Sequence, residues 1–253
     1  MIETRVIPCL LLENGGLVKT TKFKDATYLG DPINICRIFN DKEVHEIVLL
    51  DIGATVERRP PPFALLKDMA VECFIPLAYG GGLRDVETIR RVLELGLEKV
   101  VINSAAVENP GLVEAAARLV GSSSVVVAID VRKKLLGGYE VATHSGTKKL
   151  KLDPVTHAKR MQDCGAGEVF LTSIDREGTM SGYDLDLIAR VAAAVSIPVV
   201  ANGGAGSVKD FGLAVNEGHA SAVAAGSLFV FQGKHRAVLV TYPEHEVLHG
   251  VLP

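Results

Sequence analysis

The chain has 253 residues, 48% hydrophobic and 23% charged, a balance that argues against disorder and supplies a large core. Its formal net charge of −3 gives no electrostatic case for nucleic acid or an anionic membrane surface. No apolar run reaches the length of a membrane span, and the start "MIETRVIPCLLLENGG" lacks the pattern of a secretory signal, so a cytoplasmic protein is expected.

Eight short runs read as strands: 5–10 "RVIPCL", 47–52 "IVLLDI", 74–79 "FIPLAY", 99–103 "KVVIN", 125–131 "VVVAIDV", 168–174 "EVFLTSI", 197–202 "IPVVAN" and 221–226 "SAVAAG". Each is nearly continuous in apolar residues, as strands buried on both faces are. Helical stretches lie between most of them. "DPINICRIFNDKEV" and "DPVTHAKRMQDCG" open with Asp-Pro, an N-cap and a first-turn proline. "LRDVETIRRVLELG" places Val86, Ile89, Val92, Leu93 and Leu95 on one face and ends at Gly96. Alternation repeated eight times predicts an α/β fold, a single (β/α)8 TIM barrel over 1–253. The last segment, "GKHRAVLVTYPEHEVLHGVLP", has poor helical periodicity, so the eighth helix is expected to be short or replaced.

The halves repeat each other. Asp31-Pro32 recurs as Asp153-Pro154, Ile75-Pro76 as Ile197-Pro198, Glu46 as Glu168 and Gly96 as Gly218, each 122 residues on. Two half-barrels, about 1–122 and 123–253, follow. Strand three runs into Gly80, Gly81 and Gly82 and strand four into Asn103 and Ser104; their counterparts are Gly203 and Gly204, and Gly226 and Ser227. Glycines let backbone N–H groups approach an anion closely. One such run reads as a tight turn. Two related by the repeat imply a substrate with a phosphate at each end.

The cysteines at 9, 36, 73 and 164 form no C-x-x-C pair, and Cys9 inside the first strand reads as a core residue. Six histidines, at 45, 157, 219, 235, 245 and 249, show no metal-ligand spacing. No metal and no cofactor is expected.

Over the span from residue 5 to the eighth strand, the stretches "VLLDI", "GGGLRDVETI", "INSAAVENP", "VVVAID", "GAGEVFLTSIDREGT", "SGYD" and "NGGAG" resemble the cyclase subunit of imidazole glycerol phosphate synthase. The resemblance implies a glutaminase subunit docked on the barrel bottom as a heterodimer. Ammonia then passes through the barrel to a phosphorylated substrate at the top, giving imidazole glycerol phosphate and an aminoimidazole carboxamide ribonucleotide. It implies phosphate contacts at Gly82, Asn103, Ser104, Gly178, Gly204, Gly226 and Ser227, an acidic neighbour at Glu177, and a functional lysine, Lys19, on a long lid-like loop after strand one.

Arg5, Glu46, Lys99 and Glu168 each begin a strand. Such charges ordinarily face water, but two of each sign converging on one opening can close it without net charge. The resemblance implies that these four form an ammonia gate.

The family's acid/base pair stands at the ends of strands one and five. Strand five delivers Asp130; strand one delivers Leu11. A positioned acid or base contributes about 10²–10⁴-fold in rate, and leucine moves no proton. Asp51, Asp175 and His144 are the nearby groups that could substitute. "HSGTKKLKLDP" also departs from the family pattern. Ammonia-delivery parts are kept and cyclisation parts changed, a combination that resembles a branch found with surface-polysaccharide genes, in which ammonia converts a sugar's N-acyl group to an amidine. Two other readings stand beside these. A related half-barrel sugar isomerase would need the missing aspartate and no gate. A non-catalytic, ligand-binding activator of a glutaminase would need no proton shuttle.

Overall fold

The computed structural model describes residues 4–253. Eight strands are hydrogen-bonded in parallel around a ring: β1 (Arg5–Glu13), β2 (Ile47–Asp51), β3 (Leu77–Gly80), β4 (Lys99–Ile102), β5 (Val125–Lys133), β6 (Glu168–Ser173), β7 (Val199–Asn202) and β8 (Ala222–Ala225). Neighbours pair in order and β8 closes on β1, which makes a TIM barrel. Helices Pro32–Asp41, Phe63–Glu72, Val86–Glu94, Pro110–Val120, Pro154–Asp163, Leu185–Ala192 and Val208–Asn216 connect them.

The caps explain where helices begin and carry the repeat into the backbone. Asp31 accepts from the Asn34 N–H at 2.9 Å and Asp153 from the Thr156 N–H at 2.8 Å. Both caps have φ −75° and ψ 132°. Asp85 (φ −146°, ψ 160°) and Ser207 (φ −153°, ψ 163°) match in the same way. Helix starts 122 residues apart thus share closely similar cap geometry.

Strands three and seven start later than their apolar runs suggest, at Leu77 and Val199 instead of residues 74 and 197. Pro76 and Pro198 cannot donate to the ladder. Their carbonyls still accept at 2.9 Å, from Ile47 N and Val169 N, so each proline marks a strand entrance. Phe74, read as a strand residue, is 86% exposed.

Two apolar layers result. Large side chains such as Phe39, Ile47, Leu49, Tyr79 and Phe211 fill the space between strands and helices. A smaller inner set, Ile7, Cys9, Leu11, Val48, Ala78, Val101, Val126, Ala128, Phe170, Val200, Ala222 and Ala224, fills the barrel. Strand side chains alternate with period two. Residues of the inner parity on β1 are therefore Arg5, Ile7, Cys9 and Leu11, and on β6 they are Glu168, Phe170 and Thr172.

The segment after β1 is not a loop. It turns at Asn14 and Gly15 into two antiparallel strands, Gly16–Thr21 and Lys24–Gly30, the first pairing with the end of β1. Its backbone polar groups are thus satisfied by a sheet. The expectation of a short or replaced eighth helix holds. After β8 come the four-residue helix Ser227–Val230, a hairpin of Phe231–Gln232 with Ala237–Val238, and the five-residue helix His245–His249. Between the last two, Leu239 N bonds Val230 O at 3.0 Å and Thr241 N bonds Phe229 O at 2.8 Å. Tyr242 then donates to Val6 O at 3.0 Å and lies 3.0 Å from His45 Nδ1, at the N-terminal end of β1. No helix among the described residues is long and apolar enough to cross a membrane.

Candidate active site

The barrel has a charged floor and an open mouth, and the inner parity of each strand links them. At the floor Arg5 pairs with both Glu46 and Glu168. Lys99 Nζ lies 2.9 Å from Glu46 Oε2 and 3.0 Å from Glu168 Oε2. The four charges alternate in a closed ring with no net charge. Both glutamates are buried, while Arg5 and Lys99 keep some contact with water. The structure thus brings these four residues together; simple solvation does not describe them.

At the mouth, β5 and β6 pair with Asp130 beside Thr172. Thr172 bonds the Asp130 carboxylate and accepts from Asn202 Nδ2 at 3.1 Å. Asn103 Nδ2 donates to Asp130 Oδ2 at 3.1 Å and to Ala128 O at 3.0 Å. Burial pushes the Asp130 carboxyl up to about 7, and the Glu177 charge pushes the same way, against the hydrogen bonds from Thr172 and Asn103. Asp130 therefore exists in both protonation states near neutrality, the condition that suits a proton shuttle.

Leu11 sits across the mouth on β1, in register with Leu50 of β2 and packed in the inner apolar layer. The groups considered as substitutes for an acid there are engaged elsewhere. Asp51 accepts from Gly53 N, Ala54 N and the Arg59 guanidinium at 2.9–3.3 Å. Asp175 accepts from Lys133 N at 2.7 Å. His144 contacts Thr143 Oγ1 at 3.1 Å and Glu108 at 3.5 Å. Cys9, below Leu11, has its thiol pushed by burial up to about 12, which fits a core residue and not a thiolate.

Lys19 is buried, not solvated. It lies on the strand after β1, ion-paired with Glu177 and bonded to Thr20 O at 3.1 Å. Lys22 N also bonds Glu177 O at 2.9 Å, and Phe23 from the same hairpin lines the mouth. The hairpin therefore lies over the second half's loops. Glu177 Oε2 and Thr20 Oγ1 are buried there without hydrogen-bond partners among the described residues.

The two sets of glycine loops are at the mouth but differ. In the first half, Gly81 and Gly82 lie beside Asp51 and Arg59, and Ser104 is turned inward, donating to Asn103 Oδ1 at 3.2 Å and accepting from His144 N at 3.0 Å. In the second half, a Cβ on Gly204 (φ +119°) would lie 2.2 Å from Gly182 O, so only glycine fits. Gly203 abuts Glu177, Gly178 abuts Thr20 and Gly226 abuts the Lys19 side chain. Arg236, which sequence reasoning did not single out, donates to Gly178 O at 3.2 Å and Ser227 Oγ at 3.3 Å. Its segment carries no motif. Thr172 was also missed, although period two from Glu168 would have found it. Among the described residues no cluster of His, Cys, Asp and Glu could hold a metal ion.

Residues 5–236 match the family described as histidine biosynthesis protein. A relative from Pseudomonas aeruginosa, provisionally named imidazole glycerol phosphate synthase subunit hisF2, is 49% identical over 96% of this chain and 97% of its own length. One from Leptospira interrogans, with a similar provisional name, is 45% identical over 97% of each chain. A third, from Alkaliphilus metalliredigens and named imidazole glycerol phosphate synthase subunit HisF, is 48% identical over 90% of this chain and 91% of its own.

Proposed function

The chain belongs to the histidine biosynthesis protein family, among relatives named as HisF subunits of imidazole glycerol phosphate synthase, and from that premise we propose that it is the ammonia-using barrel of a glutamine amidotransferase complex. A glutaminase subunit docks on the floor as a heterodimer. Ammonia passes the Arg5, Glu46, Lys99 and Glu168 ring, crosses the apolar interior and reaches a phosphorylated substrate at the mouth. The observation that carries this reading is the pairing of a neutral, closed ring at one end of an apolar barrel with Asp130 at the other. An apolar path admits neutral ammonia and penalises the ammonium ion by desolvation. The interior it crosses mixes small residues, Ala78, Ala222 and Ala224, with the larger Ile7, Val126 and Phe170, all of them apolar.

At the mouth the substrate phosphates rest on Gly81, Gly82, Asn103 and Ser104 in one half and on Gly178, Gly203, Gly204, Gly226 and Ser227 in the other. Lys19, held by Glu177, lies beside Gly226, with its ammonium among the loops of the second anchor. Asp130 takes a proton from the attacking nitrogen as the C–N bond forms and returns it to the leaving part of the adduct. Holding nitrogen and electrophile in one geometry supplies much of the remaining rate.

The family reaction, formation of imidazole glycerol phosphate and the aminoimidazole carboxamide ribonucleotide, is the first candidate. Leu11 favours a second, ammonia-dependent amidation of a surface-polysaccharide sugar. That reaction needs one shuttle, and the wall opposite Asp130 is leucine paired with leucine. Complementation of a histidine auxotroph separates them: growth establishes the first reaction and removes the second. Product formation by the protein with its glutaminase, with glutamine as nitrogen source, tests the shared mechanism. Turnover of glutamine that is stimulated while Asp130→Asn leaves product formation unchanged would make the barrel a non-catalytic activator.

A further inference from the structure

The second half's mouth holds a cation that the mechanism above does not use. Arg236 closes the turn of the hairpin after Ser227–Val230, where Arg236 N bonds Gly233 O at 3.1 Å. It adopts φ +50°, a region uncommon for a side chain of this kind and readily filled by glycine or asparagine. Its guanidinium is stacked over the Phe231 ring at 4.5 Å, which fixes its plane. One terminal nitrogen donates to Gly178 O and the other to Ser227 Oγ. Among the described residues no carboxylate pairs with it. A guanidinium carries five N–H donors in a planar fork. Two are spent on the loops themselves; the residue is exposed, so its remaining donors are open to an incoming anion.

We propose that Arg236 is a specificity-determining residue that adds a forked cation to the second-half anchor, selecting a phosphoryl group for that end of the substrate. In the first half, Arg59 is committed to Asp51 and Glu57, and Arg84, which lines the mouth two residues after Gly82, donates to Thr55 O at 3.2 Å. Arg236 differs in bridging two of its anchor's own loops, at Gly178 and Ser227. This inference rests on the reading of the mouth loops as phosphate sites.

The test is a titration of the full-length protein with inorganic phosphate, followed through backbone amide NMR shifts. In the wild type, the amides of Gly178, Gly204, Gly226 and Ser227 should report one site and those of Gly81, Gly82 and Asn103 another. Charge-assisted hydrogen bonds of this kind correspond to roughly a ten- to hundred-fold change in affinity. Arg236→Gln should weaken the second-half site by that factor and leave the first unchanged, and Arg236→Lys should fall between. An unchanged second-half affinity in Arg236→Gln, with both sites responding, overturns the role of Arg236 and leaves the phosphate reading standing. Equal weakening of both sites makes Arg236 a structural residue and overturns the proposal. A wild type in which neither group of amides responds removes the phosphate reading and the proposal with it.

Discussion

The floor and the mouth of this barrel use ionisable groups in opposite ways. At the floor every charge has two partners of opposite sign, and the ring sums to zero. At the mouth, Asp130 is pushed up to about 7, Glu177 Oε2 and Thr20 Oγ1 lack partners among the described residues, and Arg236 has no counter-ion there. A ring that satisfies itself is suited to closing an opening. Groups left wanting are suited to receiving a molecule that supplies what is missing.

The largest expected effect is chemical. Asp130→Asn keeps the shape and the Asn103 contact but ends proton transfer, so turnover with an ammonium salt as nitrogen donor should fall about 10²–10⁴-fold. Full activity would place the shuttle elsewhere at the mouth. Next comes the buried pair. Lys19→Met strands Glu177 beside an apolar side chain, and denaturant unfolding should register a loss of about 3–5 kcal/mol. Adding Glu177→Leu should recover most of it, because two apolar groups leave no buried charge. The floor should respond less. Glu168→Gln leaves Arg5 and Lys99 with Glu46 and some water contact, for a cost of about 1–3 kcal/mol. With the glutaminase present, that variant should also lose glutamine-dependent turnover while keeping the rate with added ammonium, a split that a purely structural ring would not give.

The last effect is a slope. The Asp130 carboxyl moves from 3.8 to about 7 on folding. Between those values the folded protein holds a proton that the unfolded chain has released. This group's contribution to stability therefore falls as pH rises from about 4 to about 7 and levels off above. Because the side chain is partly open to the mouth, the direction is the prediction. The wild-type minus Asp130→Asn stability difference should decline across that window, and a flat difference would mean an unshifted carboxyl.

Much of the barrel is legible in the chain because parallel strands covered on both faces must be apolar throughout, and eight such runs alternate with capped helices. The repeat is legible in residues that recur 122 positions on, such as Asp31 and Asp153, which start their helices with one geometry. The floor was visible as four charges at strand starts, yet only parity and register reveal that they face one another. Lys19 reads as a surface charge because a lysine on a segment between strands ordinarily faces water; its burial depends on Glu177, 158 residues away. Arg236 is illegible for a related reason. Its partners, Gly178 and Ser227, reach it through a hairpin whose sequence has neither a helical nor an alternating period. The late starts of strands three and seven follow from proline chemistry, which an apolar count ignores.

The segment beyond β8 has one more consequence. It leaves the mouth at Arg236 and is anchored at the opposite end by Tyr242 on Val6. Between those ends its backbone is tied to the short helix after β8, by Leu239 N to Val230 O and Thr241 N to Phe229 O. A one-residue deletion there shifts the register of these bonds, so either Arg236 or Tyr242 is carried off its partner.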